Sequence, residues 1–295
     1  MKTLIIETVN SQILGELTTV SRLFSPLCDV IVLGEGELSG TYEKAFRVAD
    51  TLGTNICIEL TDLIKKEGYE VIILSSTAIG SGLAGLLAVG LEAPVLTEVT
   101  AISSDLIIEQ SIYGSKAVAY YKMDSRPLIL TIKRKYFEAA ELGGATETVD
   151  IPVATQKIIL LEEIEEERTG IPLEDADVIV TGGRGVGSKE NFSILGELAE
   201  LLVGAVGASR GAIDEGWMPP NAQIGQTGKT VSPGVYFAVG VSGASQHLAG
   251  ISNAKCVVAI NKDDEANIFK RARFGIISDY KKAVPAIINA LREIG

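Results

Sequence analysis

The stretch VYFAVGVSGASQHLAG, residues 235–250, decides the fold that we predict for the second half of this chain. It begins with an apolar run rich in β-branched and aromatic side chains, which is typical of a buried strand. A turn of small residues follows, and ASQHLAG has the pattern of a helix that begins after the turn. A strand, a tight turn and a helix form the repeating unit of an α/β protein.

The same unit recurs on both sides of this stretch. DVIVTGG, GAVGAS, KCVVAIN and FGIISD are predicted strands, and SKENFSILGELAELLV and KKAVPAIINALREIG are predicted helices. Glycine or polar residues follow each strand: Gly183 with Arg184, Ser209 with Arg210, Ser242 with Gly243, Asn261 with Lys262, and Asp279. Because ligands of open parallel sheets bind beyond the carboxyl ends of the strands, we predict one shared crevice there.

The first half also alternates strands and helices. We predict strands at TLIIE, DVIVLG, NICIEL and EVIILS, and helices at TYEKAFRVADTLG and TDLIKKEG. SGLAGLLAVGLEAPVL is predicted as a buried helix followed by a strand, and DLIIEQSIYGSKAVAYYKM as an antiparallel hairpin that finishes the sheet.

We therefore predict an α/β protein of two domains, residues 1–168 and 169–295, each a mainly parallel sheet flanked by helices. The second domain is predicted as a Rossmann-like sheet. The boundary is placed near Arg168, in the acidic segment KIILLEEIEEERTGIPLEDA. This segment is either a solvated linker or a charged docking surface.

The charge balance excludes one class of partner. The 295-residue chain has 26 Lys and Arg against 38 Asp and Glu, a formal net charge of −12, so nucleic acid is not an expected partner. Cys28, Cys57 and Cys256 are far apart and lie in or beside apolar runs, which favours buried thiols over disulfides or a zinc site. We expect no leader and no transmembrane segment, and a cytoplasmic protein of a bacterium or archaeon.

Two glycine-rich motifs leave alternatives open. TGGRGVGSKENF is either a phosphate-binding turn or a simple tight turn, because Ser188 stands where the last glycine of G-x-G-x-x-G belongs. QIGQTGKT is not a P-loop, since Gln223 replaces its first glycine. Its glycines Gly225 and Gly228 still permit close approach of the backbone to a planar ligand.

Several single residues also have two possible interpretations. His247, the only histidine, is either a ligand contact or the maker of a structural hydrogen bond, and it has no neighbours for a triad or metal site. Trp217 either packs or stacks on a ligand. Asp214 and Glu215 are more typical of a solvated turn than of a carboxylate pair.

Taken together, TGGRG, GASRGAIDEGW, QIGQTGKTVSPGVYFAVGVSGASQHLAG, AINKD and GIISD resemble the FAD-binding domain of electron transfer flavoprotein α subunits. The resemblance covers nearly all of residues 176–292, in order. The first half is similar to that family in layout, including YEKAFRVAD, YGSKAVA and RPLILTIKRKYF. SSTAIGSGLAGLLAVGL departs from the family, because it lacks the polar residues and proline often found after that strand.

This resemblance implies FAD as the cofactor and no catalytic residue. The implied cofactor-binding residues are Arg184, Ser209, Arg210, Ile224, Gly225, Gln226, Thr227, Ser242, Gly243, Ala244, Ser245, Gln246, His247, Asn261, Asp279 and Tyr280.

The resemblance also implies their roles. Arg184 contacts the diphosphate, and Ser209 and Arg210 lie beside the isoalloxazine. Residues 224–227 line the flavin ring with the Thr227 hydroxyl near N5, and residues 242–246 hold the cofactor chain and phosphates.

At the two ends of the cofactor, His247 faces the flavin C2 carbonyl, Asn261 bonds nearby, and Asp279 with Tyr280 holds the adenosine. A donor or positive imidazole at the N1–C2=O edge would stabilise the reduced flavin.

The implied function is that of an electron carrier rather than a stand-alone enzyme. With a β subunit, such a chain accepts electrons from dehydrogenases such as the acyl-CoA dehydrogenases of fatty acid β-oxidation, and passes them to a quinone oxidoreductase or another redox partner. One alternative is the α subunit of an electron-bifurcating complex that uses NADH and ferredoxin. From other classes, an NAD-binding transferase and a nucleotide-binding regulatory module use related sheets.

Overall fold

The computed structural model describes residues 1–113, 117–153, 158–162 and 170–294. The chain forms two compact units, Met1–Ile164 and Glu165–Gly295. The boundary predicted near Arg168 lies outside the described residues and stays a prediction. Each unit contains one mainly parallel sheet flanked by helices, which confirms the predicted fold class.

The first unit is built on a nine-stranded sheet. Its elements are β1 (Thr3–Thr8), α1 (Ser11–Ser21), β2 (Asp29–Leu33), β3 (Ala45–Val48), α2 (Gly53–Glu67), β4 (Val71–Ser75), α3 (Ala78–Leu91), β5 (Val95–Ile102), β6 (Ile107–Ile112), β7 (Ala117–Lys122), β8 (Leu128–Ile132) and β9 (Thr148–Asp150). The strand order is β7-β6-β5-β8-β4-β1-β2-β3-β9. Only the β5–β6 and β6–β7 pairs are antiparallel among the described strands.

Two predicted elements of the first unit are wrong. NICIEL belongs to helix α2, and the predicted helix TYEKAFRVADTLG contains strand β3. In α2, Ile56 and Leu60 are fully buried while Ile58 is 52% exposed, so burial follows a helical period of about four residues rather than the two-residue period of a strand. Strand β3 pairs with β2 on one side and with β9 on the other, and the pairing with β9, which is distant in sequence, cannot be read from a local pattern.

Two other predictions for this sheet agree with the structure. The predicted hairpin is β6 and β7, and it lies at one end of the sheet, with its turn residues 114–116 outside the described residues. SGLAGLLAVGLEAPVL forms α3 and the start of β5, as predicted. The helix, however, is buried on one face only: Leu83 and Leu87 are buried, whereas Val89 is 80% exposed.

The three cysteines differ in burial. Cys28 is buried, but Cys57 and Cys256 are only half-buried, and all three are free thiols. No helix among the described residues is long and apolar enough to cross a membrane.

The second unit is built on a five-stranded, all-parallel sheet. Its elements are β10 (Val178–Gly182), α4 (Phe192–Leu201), β11 (Ala205–Ala208), α5 (Arg210–Asp214), β12 (Val235–Val239), α6 (Ser245–Ala249), β13 (Cys256–Asn261), β14 (Phe274–Ile277) and α7 (Tyr280–Ile294), with 3-10 turns at Arg184–Val186, Pro220–Ala222 and Asn267–Lys270.

The strand order of this sheet locates its ligand crevice. The order is β11-β10-β12-β13-β14, so the chain leaves the first strand, β10, toward one edge and returns to build the other half of the sheet from β12. The loops after β10 and β12 therefore run in opposite directions. Such a switch point is where open α/β sheets bind ligands.

Candidate functional site

A cleft of about 590 Å³ lies at the carboxyl ends of β10, β11 and β12, at the switch point. Its walls contain all of the predicted site residues except Ser245, Asp279 and Tyr280. The lining residues are Arg184, Gly185, Ser209, Arg210, Gly211, Asp214, Gln223, Ile224, Gly225, Gln226, Thr227, Gly240, Val241, Ser242, Gly243, Ala244, Gln246, His247, Asn261 and Asp263.

A second cleft of about 270 Å³ adjoins the first. The two share Gly185, Gly240 and Asn261, and the second also contains Asp279 and Tyr280. The predicted site residues thus fall along two connected clefts, with the exception of Ser245. Its hydroxyl donates a 3.3 Å hydrogen bond to Oε1 of Gln246, and Ser245 lines neither cleft.

Glycines bring the two loops of the switch point into direct backbone contact. The Gly185 N–H donates to the Gly240 carbonyl at 3.0 Å, and a Cβ at Gly185 would lie 2.8 Å from the Gly240 Cα. A Cβ at Gly183 would overlap the Gly240 carbonyl oxygen. Of the two alternatives for TGGRGVG, the structure shows glycines that pack the loops together, while Gly185 also borders both clefts.

The loop of residues 242–246 presents a run of backbone donors to the cleft. Its position is fixed because the Ser242 carbonyl accepts from the Ile268 N–H at 3.1 Å. Within the described ranges, the backbone N–H groups of residues 242–246 have no protein acceptor. Backbone donors without partners are costly unless water or a ligand satisfies them, and several together suit an anionic group.

The turn of residues 224–227 is held by backbone hydrogen bonds from its first three residues. The N–H of Ile224 donates to Ala208, that of Gly225 to Lys229 and that of Gln226 to Gln246, at 2.9, 3.1 and 2.8 Å. Gly225 has φ +146°, and a Cβ there would lie 3.1 Å from the Gln246 carbonyl oxygen. A side chain is therefore disfavoured at this position both by backbone conformation and by the approach of α6.

The side chains beyond this turn project polar groups. Gln226 and Thr227 are exposed, and Nε2 of Gln223 donates to Oγ1 of Thr227 at 3.0 Å. Because the Thr227 oxygen accepts this bond, its own hydrogen stays free to be donated into the cleft. Gln223 was not predicted as a site residue, although it had been noted as the residue that breaks the P-loop pattern.

Two arginines give the cleft positive charge. Arg184 and Arg210 are exposed and follow β10 and β11. Nε of Arg210 lies 3.6 Å from Oδ2 of Asp214, with side-chain exposures of 71% and 65%, so this ion pair is weak and leaves Arg210 available to a ligand. The stem of Arg184 runs beside Gly211, where a Cβ would lie 3.0 Å from the Arg184 Cγ.

The buried imidazole of His247 is bonded inside the protein on both sides. Nδ1 lies 3.1 Å from the Ile224 carbonyl oxygen, and Nε2 lies 3.0 Å from the Tyr236 hydroxyl. Burial lowers the pKa of His247 to about 4, against the opposing effect of the Ile224 bond, so the ring is neutral at pH 7. The structure therefore gives His247 the structural hydrogen bonds of the second alternative, with no ring N–H left for a flavin C2 carbonyl.

Three more predicted residues use their polar groups to hold the loops. Asn261 donates to the Val241 carbonyl at 3.0 Å and accepts from the Asp263 N–H at 3.1 Å. Oδ1 of Asp279 accepts from the Lys281 N–H at 2.9 Å, at the start of α7. The Tyr280 hydroxyl donates to the Val186 carbonyl at 2.7 Å.

The contacts of Trp217 and Asp214 distinguish between the interpretations given for them. Trp217 packs against the core, with its ring centroid 6.5 Å from that of Phe192. Asp214 faces Arg210 rather than a second carboxylate. Gly240, Val241 and Asp263 line the cleft without having been predicted.

Two family models match the chain. One, described as an electron transfer flavoprotein FAD-binding domain, matches residues 172–252, and another, described as an electron transfer flavoprotein domain, matches residues 45–156.

Curated proteins are similar over most of the chain. Electron transfer flavoprotein subunit alpha of Bacillus subtilis (strain 168) is 38% identical over 239 residues, which cover 79% of this chain and 74% of that protein. Protein FixB of Clostridium saccharobutylicum is 36% identical over 80% of this chain and 74% of its own length. Electron transfer flavoprotein subunit alpha of Paracoccus denitrificans is 39% identical over 76% of this chain and 73% of its own length.

Proposed function

The chain belongs to the electron transfer flavoprotein α-subunit family, and from this premise we propose that it carries electrons from acyl-CoA dehydrogenases or similar donors to a quinone oxidoreductase or another redox protein. The family confirms the resemblance drawn from the sequence, the role of electron transfer flavoprotein α subunit and the cofactor FAD. The donors and the acceptor are part of the proposal.

The residues of the cleft fit FAD. The cofactor is a dinucleotide with a negatively charged diphosphate, and the N–H groups of residues 242–246, with no protein acceptor in the described part of the chain, form a matching set of donors beside Arg184. This run of donors at the switch point is the observation that carries the assignment of the cleft. The adjoining cleft is lined in part by Asp279 and Tyr280, and we propose that it receives the adenosine.

FAD, when bound, supplies reversible storage of electrons, and the protein supplies binding, orientation and electrostatics. Arg184 and the loop of residues 242–246 bind the anionic part. The turn of residues 224–227 orients Gln226 and Thr227, and Gln223 leaves the Thr227 hydroxyl able to donate. Arg210 adds positive charge at the edge of the cleft, which favours any added negative charge.

The family implies a heterodimer with a β subunit. We propose that this heterodimer is the working form and that dehydrogenases are its donors. The cytoplasmic location predicted from the sequence stays a prediction.

Co-expression with a β subunit tests the proposal. The purified heterodimer is mixed with a catalytic amount of acyl-CoA dehydrogenase and an acyl-CoA, and the visible absorbance of the oxidised flavin is followed under anaerobic conditions. We expect loss of this absorbance that depends on the dehydrogenase, and its return on adding the acceptor.

A heterodimer without flavin would contradict the proposal at the level of the cofactor. A flavin-loaded heterodimer that the dehydrogenase does not reduce, but that NADH reduces, would replace the simple carrier by the electron-bifurcating alternative.

A further inference from the structure

Tyr236 contacts the site through His247. It lies in β12, is fully buried and lines neither cleft. Its hydroxyl is 3.0 Å from Nε2 of His247, and the two rings are tilted by 53° with centroids 6.2 Å apart. Because buried hydroxyl groups of tyrosine need a partner, this bond is a fixed feature of the core.

The direction of each hydrogen bond follows from the chemistry of the acceptors. The Ile224 carbonyl has no hydrogen to give, so Nδ1 of His247 must carry one. In a neutral ring Nε2 is then a lone pair, and the Tyr236 O–H must donate to it. The bonds form a chain from Tyr236 through His247 to Ile224.

The opposite tautomer would break this chain. With the hydrogen on Nε2, the Nδ1 lone pair would face the Ile224 carbonyl oxygen at 3.1 Å, so that two acceptors would oppose each other. A donor at Nε2 is what prevents this. Tyr236 supplies the donor without a net charge, in a place from which water is excluded.

The end of the chain is the first peptide of the turn of residues 224–227. The same peptide unit that carries the Ile224 carbonyl also carries the Gly225 N–H, which donates to the Lys229 carbonyl at 3.1 Å. Bonds on both sides fix the plane of that peptide. Its orientation sets the direction in which Gln226 and Thr227 leave the turn toward the cleft.

We propose that Tyr236 is a positioning residue of the FAD site, whose hydroxyl holds His247 in the Nδ1–H tautomer and thereby anchors residues 224–227 against the cleft. The inference rests on the proposed function, because FAD is the ligand that the turn receives. In this proposal the His247 ring does not contact the flavin directly; it acts by holding the turn of residues 224–227 in place.

The test uses the heterodimer labelled with ¹⁵N-histidine and the variant Tyr236→Phe. His247 is the only histidine of this chain, so its ring signals are those that disappear in His247→Gln. We expect a neutral ring with a protonated Nδ1 in the native protein. In Tyr236→Phe we expect displaced Nε2 signals or a mixture of tautomers, and a dissociation constant for FAD about tenfold higher, which corresponds to about 1.4 kcal/mol.

Tyr69→Phe is the matched control. Tyr69 is a buried tyrosine of the first unit, and its hydroxyl donates to Oδ2 of Asp29 at 2.6 Å. Its loss should leave the His247 signals and the affinity for FAD unchanged.

A native ring protonated on Nε2, or a Tyr236→Phe variant with native ring signals and native FAD affinity, would overturn the inference. If Tyr236→Phe yields no folded heterodimer, the native ring spectrum decides, since a protonated Nδ1 supports the inference and a protonated Nε2 contradicts it. A native heterodimer that binds no FAD would instead defeat the proposed function.

Discussion

Nδ1 of His247 lies 3.1 Å from the carbonyl oxygen of Ile224, and this hydrogen bond joins helix α6 to the turn that borders the cleft. Ile224 lies in the turn before β12, and His247 lies in the helix after that strand. The bond is made by a buried, neutral ring, so the histidine acts here as a structural donor whose bonding depends on its charge state.

The first prediction concerns the pH dependence of stability. Burial lowers the pKa of His247 to about 4 in the folded protein, whereas an unfolded histidine titrates near 6.5. Below pH 6.5 the unfolded chain therefore binds the proton that the folded chain refuses. The contribution of His247 to the free energy of unfolding is fully present above pH 6.5 and falls by about 3 kcal/mol as the pH drops to 4.

The comparison of the native heterodimer with His247→Gln isolates this effect from the carboxylates. We expect the difference in free energy of unfolding between the two proteins to shrink between pH 7 and pH 4.5, measured by urea denaturation. A difference that stays constant over this range would show that the imidazole is accessible to protons in the folded state.

The second prediction concerns Asn261, whose amide joins the Val241 carbonyl to the Asp263 N–H. Asn261→Ala leaves both groups without these bonds, at a cost of about 1–3 kcal/mol. Because Val241 precedes the loop of residues 242–246, we expect FAD affinity to fall about tenfold, measured by fluorescence titration. Asn10→Ala, which removes the cap of α1 in the first unit, should lower stability by about 1 kcal/mol and leave FAD affinity unchanged.

The third prediction concerns the hydroxyl of Thr227. Thr227→Val removes a donor worth about 1 kcal/mol, and if this donor acts on the reduced flavin, the one-electron reduction potential should fall by about 40 mV. Gln223→Leu frees the hydroxyl from the amide that orients it and should lower the potential by a smaller amount. Thr227→Ser, which keeps a hydroxyl, should have the native reduction potential in spectroelectrochemical titration. Thr230→Val, at an exposed neighbour, should not change the potential either.

The fourth prediction concerns the two exposed arginines of the cleft. Arg184→Ala and Arg210→Ala should each weaken FAD binding about three- to tenfold at low ionic strength, and the loss should become smaller in 0.5 M salt because exposed charges are screened. Arg292→Ala, which removes an exposed ion pair with Glu197 on the same unit, is the matched control. Equal losses at low and high salt would show that the arginines act by packing rather than by charge.

Much of the second unit could be predicted from local pattern. Its strands and the helices α4, α6 and α7 follow one another in the predicted order, and the parallel arrangement places the strand ends together, whereas the short helix α5 was not predicted. Two elements of the first unit were predicted wrongly: TYEKAFRVADTLG contains strand β3, and NICIEL has the composition of a strand although Ile58 faces outward from a helix. An apolar run of this length does not decide between the two by composition alone.

The hydrogen-bond partners of the predicted site residues could not be read from the sequence. His247 follows Tyr236 by 11 residues and Ile224 by 23, so these hydrogen bonds exist only once β12, α6 and the turn have packed. His247 lines the cleft, but the sequence had no information on the hydrogen bonds of its ring nitrogens. The same holds for Asn261, whose amide is used within its own loops.

The most direct test of the account is the FAD content of the purified heterodimer in the native form and in Gly225→Val. The branched side chain would have to adopt φ near +146° and approach α6, so it should displace the turn from the cleft. Gly216→Val, at another glycine with positive φ but with no neighbour within 4 Å, controls for backbone strain. We predict that Gly225→Val loses one FAD per heterodimer while the native protein and Gly216→Val keep it. A native heterodimer without FAD, or a folded Gly225→Val with the native content, would contradict the placement of the cofactor in this cleft.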